Sequence, residues 1–222
     1  MRATLAFDVY GTLIDTWGVR DALEKKVGSL AGNFTKTWRI KQLEYSFRRA
    51  LMQKYVNFTE CTRNALDFTC LQLNTPLSED DRNEMMHQYL VLPAFPDVVP
   101  CLVNLKSSDC RLFALSNGTK EDLTQLLNNA GISHFFEDII SVDEIKTYKP
   151  DPAVYDHFIC KSKASKNDSY LISSNPFDVI GALSAGLQSV WVNREPRTIF
   201  DQWEFKPTET IKELSELIKV LT

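Results

Sequence analysis

The chain has 222 residues, 44% hydrophobic and 24% charged, with a formal net charge of −4; that suffices for one large domain or for a core carrying a smaller insertion. Lysines and arginines are dispersed among acids, which excludes the basic footprint of a nucleic-acid binder, and Arg48-Arg49 reads as a solvated helix face. No apolar run reaches membrane-spanning length, and the cysteines at 61, 70, 101, 110 and 160 form no CxxC pair, so neither a disulfide framework nor a zinc site is expected.

Residues 4–7 are a short apolar strand candidate that runs into Asp8. The next stretch shows no convincing strand but several helical patterns, over 18–27, 36–57, 59–73 and 78–91. In the second of these, Leu43, Phe47, Ala50 and Leu51 make an apolar stripe. Pro93, Pro96 and Pro100 then break the helical pattern. From about residue 95 strands and helices alternate. A helix carrying Val98, Leu102 and Leu105 precedes a strand at 111–115. A helix on Leu123, Leu126, Leu127 and Ala130 stops at Gly131. Strands follow at 138–141, 170–172 and 189–192, and Ile211, Leu214, Leu217, Ile218 and Leu221 pattern a closing amphipathic helix. Continuous apolar strands suit a parallel sheet buried on both faces. The expected fold is therefore α/β: a doubly wound, Rossmann-like parallel-sheet core (1–14 and 95–222) with an all-helical cap (15–94) inserted after the first strand.

Four polar groups fall at or beyond the expected strand ends: Asp8-Val9-Tyr10-Gly11-Thr12-Leu13, Ser116-Asn117-Gly118, Tyr148-Lys149-Pro150-Asp151, and Ser173-Ser174-Asn175-Pro176-Phe177-Asp178. Taken singly, each has an ordinary explanation as a cap, a turn or a rigid loop opening a helix. Together they fall at four ends of one sheet whose adjacent strands lie under ~5 Å apart, so they can converge on one pocket.

The joint pattern Asp-x-Tyr-Gly-Thr-Leu, Ser-Asn-Gly, Tyr-Lys-Pro and Ser-Ser-Asn-x-x-Asp resembles the haloacid dehalogenase superfamily, and within it the L-2-haloacid dehalogenases. The likeness extends to the insertion, through Trp38-Arg39-Ile40-Lys41-Gln42-Leu43-Glu44-Tyr45 and Tyr55-Val56-Asn57-Phe58. It implies that the Asp8 carboxylate, ionised at neutral pH without a base, attacks C2 opposite the halogen, inverting the centre and forming an ester. Thr12 and Ser173 would orient Asp8. Ser116, Lys149 and backbone amides near Tyr10 would hold the substrate carboxylate. Arg39 and Asn117, with the edge of Phe58, would cradle the departing halide. Water would then attack the ester, positioned or activated by Asn175 and Asp178, with Lys149 paired to Asp178. Tyr10, Leu43, Phe58, Tyr155 and Phe177 complete the expected pocket set, Tyr155 from a position behind the site. No histidine matches a motif.

The phosphatases of the superfamily carry a second aspartate two residues after the nucleophile. Here Tyr10 stands there, and a phenol with a reference pKa near ~10 cannot take over carboxylate proton traffic. The 173–178 segment is also acid-poor for Mg²⁺. Without a metal, side chains must offset the repulsion between a haloacid and Asp8, about 4 kcal/mol for unit charges ~4 Å apart at an effective dielectric of 20; Lys149 and Arg39 are the cations in the matched motifs. The resemblance thus implies a 2-haloacid substrate, a halide product, no cofactor, no nucleic-acid or membrane partner, a cytoplasmic location and a homodimer. A phosphatase, another hydrolase of the superfamily or a silent binding protein are the alternatives at this point. Two positions depart from the family's usual residues: Phe177 stands where tryptophan is common, and Ile40 where glutamine is.

Overall fold

The computed structural model describes residues 3–221. Its strands are β1 (Thr4–Asp8), β2 (Arg111–Ser116), β3 (Asp138–Ser141), β4 (Ser169–Ser173), β5 (Gln188–Val192) and β6 (Glu209–Ile211). They form one parallel sheet in the order β3-β2-β1-β4-β5-β6. Every residue of β1 is buried, as a central strand covered on both faces requires. Strand order reverses at β1, and that switch point opens a crevice beyond the carboxyl ends of β1, β2 and β4.

Helices α1 (Arg20–Val27), α2 (Ala31–Leu51), α3 (Phe58–Gln72) and α4 (Glu79–Gln88) lie between β1 and α5 (Val98–Lys106). The remaining helices, α6 (Lys120–Asn129), α7 (Pro152–Ser162), α8 (Pro176–Ser184) and α9 (Leu217–Val220), belong to the alternating half. The insertion is helical as expected, with shifted bounds. The second helix starts at Ala31 and stops at Leu51 because the chain turns through Gln53 (φ 53°), and Asn57 caps α3 by accepting from the Glu60 N–H at 2.9 Å. Ser78 and Asp81 form a reciprocal capping box that starts α4.

One expectation fails at the carboxyl end. The apolar spacing from Ile211 to Leu221 is not one amphipathic helix. Ile211 belongs to edge strand β6, Leu214 to a 3-10 turn, and only Leu217–Val220 is α-helical. Ile211, Leu214 and Leu217 all reach the core, so inward-facing residues recur at helical spacing although the backbone changes type between them. Cys61, Cys70 and Cys101 are buried as expected. Among the described residues no helix is long and apolar enough to cross a membrane.

Candidate active site

Asp8 ends β1 and is 6% exposed. The chain then reverses tightly: Leu13 and Ile14 donate to the Val9 carbonyl at 3.0 and 2.9 Å, and Gly11 adopts φ +86°, a backbone that L side chains rarely take. This turn brings Thr12 back beneath Asp8. The two carboxylate oxygens of Asp8 are treated differently. Oδ2 accepts from Thr12 Oγ1 (2.8 Å), Ser173 Oγ (3.1 Å) and Asn175 Nδ2 (2.7 Å), whereas Oδ1 accepts, among the described residues, only from Lys149 Nζ (3.0 Å). Parallel pairing of β1 with β4 explains why residues more than 160 positions apart meet: Phe7 lies beside Ile172, and Ser173 follows.

Lys149 is 1% exposed, and its ammonium is fully used, donating to Asp8, to Asp178 Oδ2 at 2.7 Å and to the Leu115 carbonyl at 2.8 Å. Burial alone would favour a neutral amine, but Asp178 and Asp8 outweigh it and hold the Lys149 pKa above its ordinary value. Asp178, on the first turn of α8, is wholly buried, which raises its pKa to about 6 against the opposing pull of Lys149. Tyr155, from α7, donates to Asp178 Oδ1 at 2.8 Å. Complete burial sets Tyr155 behind Asp178, not on a pocket wall.

Asn117 follows β2, and its Oδ1 accepts the Lys149 backbone N–H at 3.0 Å, which fixes the amide orientation and leaves Nδ2 to donate elsewhere. Ser116 is 1% exposed at the end of β2, its Oγ accepting weakly from the Gly118 N–H at 3.4 Å. Among amides near Tyr10, those of Gly11 and Thr12 are taken by the Ile14 and Val9 carbonyls. The amides expected to receive a substrate carboxylate are thereby narrowed to those outside this turn's own hydrogen bonds, the Tyr10 N–H among them.

The cap supplies the other cation. Arg39, on α2, donates to the Tyr10 carbonyl at 3.3 Å and to Gln42 Oε1 at 2.7 Å, while burial lowers its pKa from the ordinary arginine value. Gln42 donates in turn to Thr62 Oγ1 at 2.6 Å. Phe58 opens α3, with its ring 5.6 Å from that of Tyr10. Leu43 is half-buried on α2. Phe177 packs edge-on against Phe47 at 5.0 Å and, with Lys149 and Tyr148, lines an apolar cavity of about 500 Å³. Ile40, the other departure, is 52% exposed. His87 lines a second cavity with Tyr10 and Phe58, whereas His157 faces Glu144 at 3.4 Å.

Two supports escaped the sequence reading. Gln42 locks Arg39, and its only signal was a polar residue three positions on, on the buried side of α2. Arg194 grips Asp97 through Nε (3.1 Å) and NH2 (3.0 Å), and donates to the Thr12 carbonyl (3.0 Å) and Ser174 Oγ (3.1 Å). It thereby ties together the loops after β1, β4 and β5. The assembled site offers a carboxylate with one lightly engaged oxygen, a buried acid–lysine pair beside it, and a cap arginine facing the same turn.

Comparison with known proteins follows the same lines. Residues 5–192 match the family profile described as haloacid dehalogenase-like hydrolase. The chain is 38% identical to (S)-2-haloacid dehalogenase 2 of Pseudomonas sp. (strain CBS-3), over 98% of this chain and 94% of that protein. It is 37% identical to haloacetate dehalogenase H-2 of Moraxella sp. (strain B), over 98% and 96%. The structure of L-2-haloacid dehalogenase from Xanthobacter autotrophicus with chloropropionic acid covalently bound superposes with a TM-score of 0.94 at 30% identity, covering 100% of this chain and 98% of that one.

Proposed function

The chain belongs to the haloacid dehalogenase-like hydrolase family, and on that footing we propose that it hydrolyses small L-2-haloalkanoic acids to D-2-hydroxy acids and halide through an ester on Asp8. The observation that carries this reading is the asymmetry at Asp8: among the described residues three donors hold Oδ2 and only Lys149 donates to Oδ1. Oδ1 is the attacking atom. It forms a bond to C2 as the carbon–halogen bond breaks, and the halide leaves with the electron pair toward Arg39 and Asn117. The substrate carboxylate is received by Ser116 and the Tyr10 N–H, with the positive charge of Lys149, whose three donors are already engaged, offsetting its repulsion from Asp8.

In the second step water attacks Cγ of Asp8, held by Asn175 and with Asp178 taking its proton. The tetrahedral carbon then expels the 2-oxygen of the product, which takes the proton held by Asp178, and the water's second proton is lost to solvent as the Asp8 carboxylate is regenerated. The position two residues after Asp8 is Tyr10, whose pKa burial pushes above its ordinary value, so it is no general base at neutral pH. Lys149 bridges the acids of the site, and the cycle written here uses no metal. Residues 15–94 act as the cap that supplies Arg39 and Phe58, with 1–14 and 95–222 as the core. Ile40, Leu51, Met52 and Leu71 are exposed on α2 and the α2 and α3 ends, which supports a homodimer through the cap helices. Sedimentation tests that point. The buried thiols of Cys61, Cys70 and Cys101 support a reducing, cytoplasmic setting.

The test is chloride release from L- and D-2-chloropropionate in EDTA, for wild type and Asp8→Ala. Release from the L acid alone, abolished by the substitution, is expected. Equal turnover of both enantiomers would overturn the stereochemical assignment, and loss of activity in EDTA would overturn metal independence.

A further inference from the structure

Tyr89 follows α4 at the end of the cap insertion, and neither motif spacing nor the cycle above gives it a task. Its ring is 5% exposed and is clamped between Trp38, 4.8 Å away, and Tyr10, 6.4 Å away. Its hydroxyl is buried and has no hydrogen-bond partner among the described residues. Buried O–H groups are nearly always partnered, since leaving one unsatisfied in a folded protein forfeits its hydration without a replacement. Tyr155 and Tyr148 conform: Tyr155 donates to Asp178 and Tyr148 to the Val56 carbonyl.

The surroundings of this hydroxyl select its ligand. Tyr89 lines a cavity of about 250 Å³ together with Tyr10, Phe58, Gly118 and Asp122, so it shares a wall with Phe58, whose ring edge is expected beside the leaving atom. Arg39 is its electrostatic neighbour: its charge opposes the burial that pushes the Tyr89 pKa up to about 12. The phenol therefore stays protonated at neutral pH and serves as a donor. A protonated donor beside a buried guanidinium, against aromatic edges, suits a weakly hydrated monovalent anion.

We infer that the Tyr89 hydroxyl is a further donor to the departing halide, acting beside Arg39 and Asn117 as negative charge builds on the leaving atom. This rests on the dehalogenase reading. No proton is transferred: the carbon–halogen pair moves to the halogen, the new bond forms at Asp8 Oδ1, and Tyr89 keeps its O–H while donating it. Because chloride accepts hydrogen bonds more strongly than bromide, the contribution is larger for chloride.

Tyr89→Phe keeps the ring contacts and deletes only the donor. Single-turnover halide release from L-2-chloropropionate is expected to slow about tenfold, and from L-2-bromopropionate by less, while inhibition by added chloride weakens three- to tenfold. A merely structural role would slow both acids alike and leave halide inhibition unchanged, and that result would overturn the inference. A second readout does not depend on turnover: bromide titrated into the wild type is expected to shift the near-ultraviolet tyrosine absorption, with the shift absent in Tyr89→Phe. An identical shift in both proteins would also overturn it. If the wild type releases no halide from either acid, the dehalogenase reading falls, while the bromide titration still decides whether Tyr89 binds an anion.

Discussion

The Tyr155 hydroxyl donates to the carboxylate of Asp178 at 2.8 Å, and both residues are completely buried. Together with Lys149 on the opposite oxygen, this bond points Asp178 at the Asp8 side of the pocket. Desolvation nevertheless dominates and raises the Asp178 pKa to about 6. Asp178 has to be ionised to take a proton from water, so kcat is expected to fall on the acid side with an apparent pKa near 6. That limb belongs to the Asp8–Lys149–Asp178 cluster as a unit. The same shift makes Asp178 favour the fold most below its ordinary carboxylate pKa, with the advantage lost as pH rises through about 6. In Asp178→Asn, ester hydrolysis should fall by ~10³-fold and the ester on Asp8 should accumulate, detectable as added mass after brief exposure to substrate. Undiminished turnover in that variant would remove Asp178 from water activation.

Gly181 makes the Tyr155 contact sterically possible. A Cβ at that position would sit 2.4 Å from the Tyr155 hydroxyl and 2.6 Å from Pro150 Cβ. Gly181→Ala is therefore expected to push Tyr155 off Asp178 and to disturb the loop carrying Lys149. We expect destabilisation of about 1–3 kcal/mol, measured by urea unfolding, and a shifted acid limb of kcat. Tyr155→Phe, which removes the bond without the clash, should shift the limb with a smaller loss of stability. An unchanged pH profile in both variants would mean that Tyr155 does not tune Asp178.

The contrast between these contacts shows what the sequence makes legible. Thr12 sits four residues after Asp8 in one turn, so a local motif announces their bond. Ser116, Lys149 and Asp178 are announced by short polar runs at strand ends, because parallel pairing aligns those ends automatically. Gln42 and Arg194 lack such a signal. Arg194 finds Asp97 across 97 positions, and nothing near either residue distinguishes the pair from surface charges. Tyr89 is equally silent, since its meaning lies in a hydroxyl without a partner. The edge strand β6 was missed for a different reason. Three residues with only Ile211 buried carry too little alternation to outweigh an apolar spacing that mimics a helix.

Arg194 yields the next prediction. It and Asp97 are 18% and 11% exposed, so their bidentate pair is largely shielded from water, and the guanidinium also lies 4.1 Å over the Phe95 ring. Arg194→Ala strands Asp97, which additionally accepts the Leu214 N–H, and frees the Thr12 carbonyl and Ser174. A loss of about 3 kcal/mol of stability is expected. Since Arg194 steers the donors to Asp8 Oδ2 and holds no substrate, kcat should drop roughly tenfold with KM nearly unchanged. Arg194→Lys, which keeps charge but not the fork, should recover stability more than kcat. A rise in KM alone would argue instead for direct substrate contact.

Phe177 offers a test of specificity. Its ring stands edge-on to Phe47, half-buried, on the wall of the apolar cavity that also holds Tyr148 and Lys149. Tryptophan there would add ring volume and one N–H donor at this point of the wall. The added volume shortens the space available to the substrate's alkyl chain. Phe177→Trp should therefore retain activity on L-2-chloropropionate within about threefold and lose ground progressively on longer 2-halo acids, each excluded methylene being worth ~1–3 kcal/mol in kcat/KM. The measurement is kcat/KM across C3 to C6 L-2-chloroalkanoates for both proteins. Parallel profiles would show that the alkyl chain does not reach Phe177, and would move the size filter to Leu43 and Phe58 on the cap side.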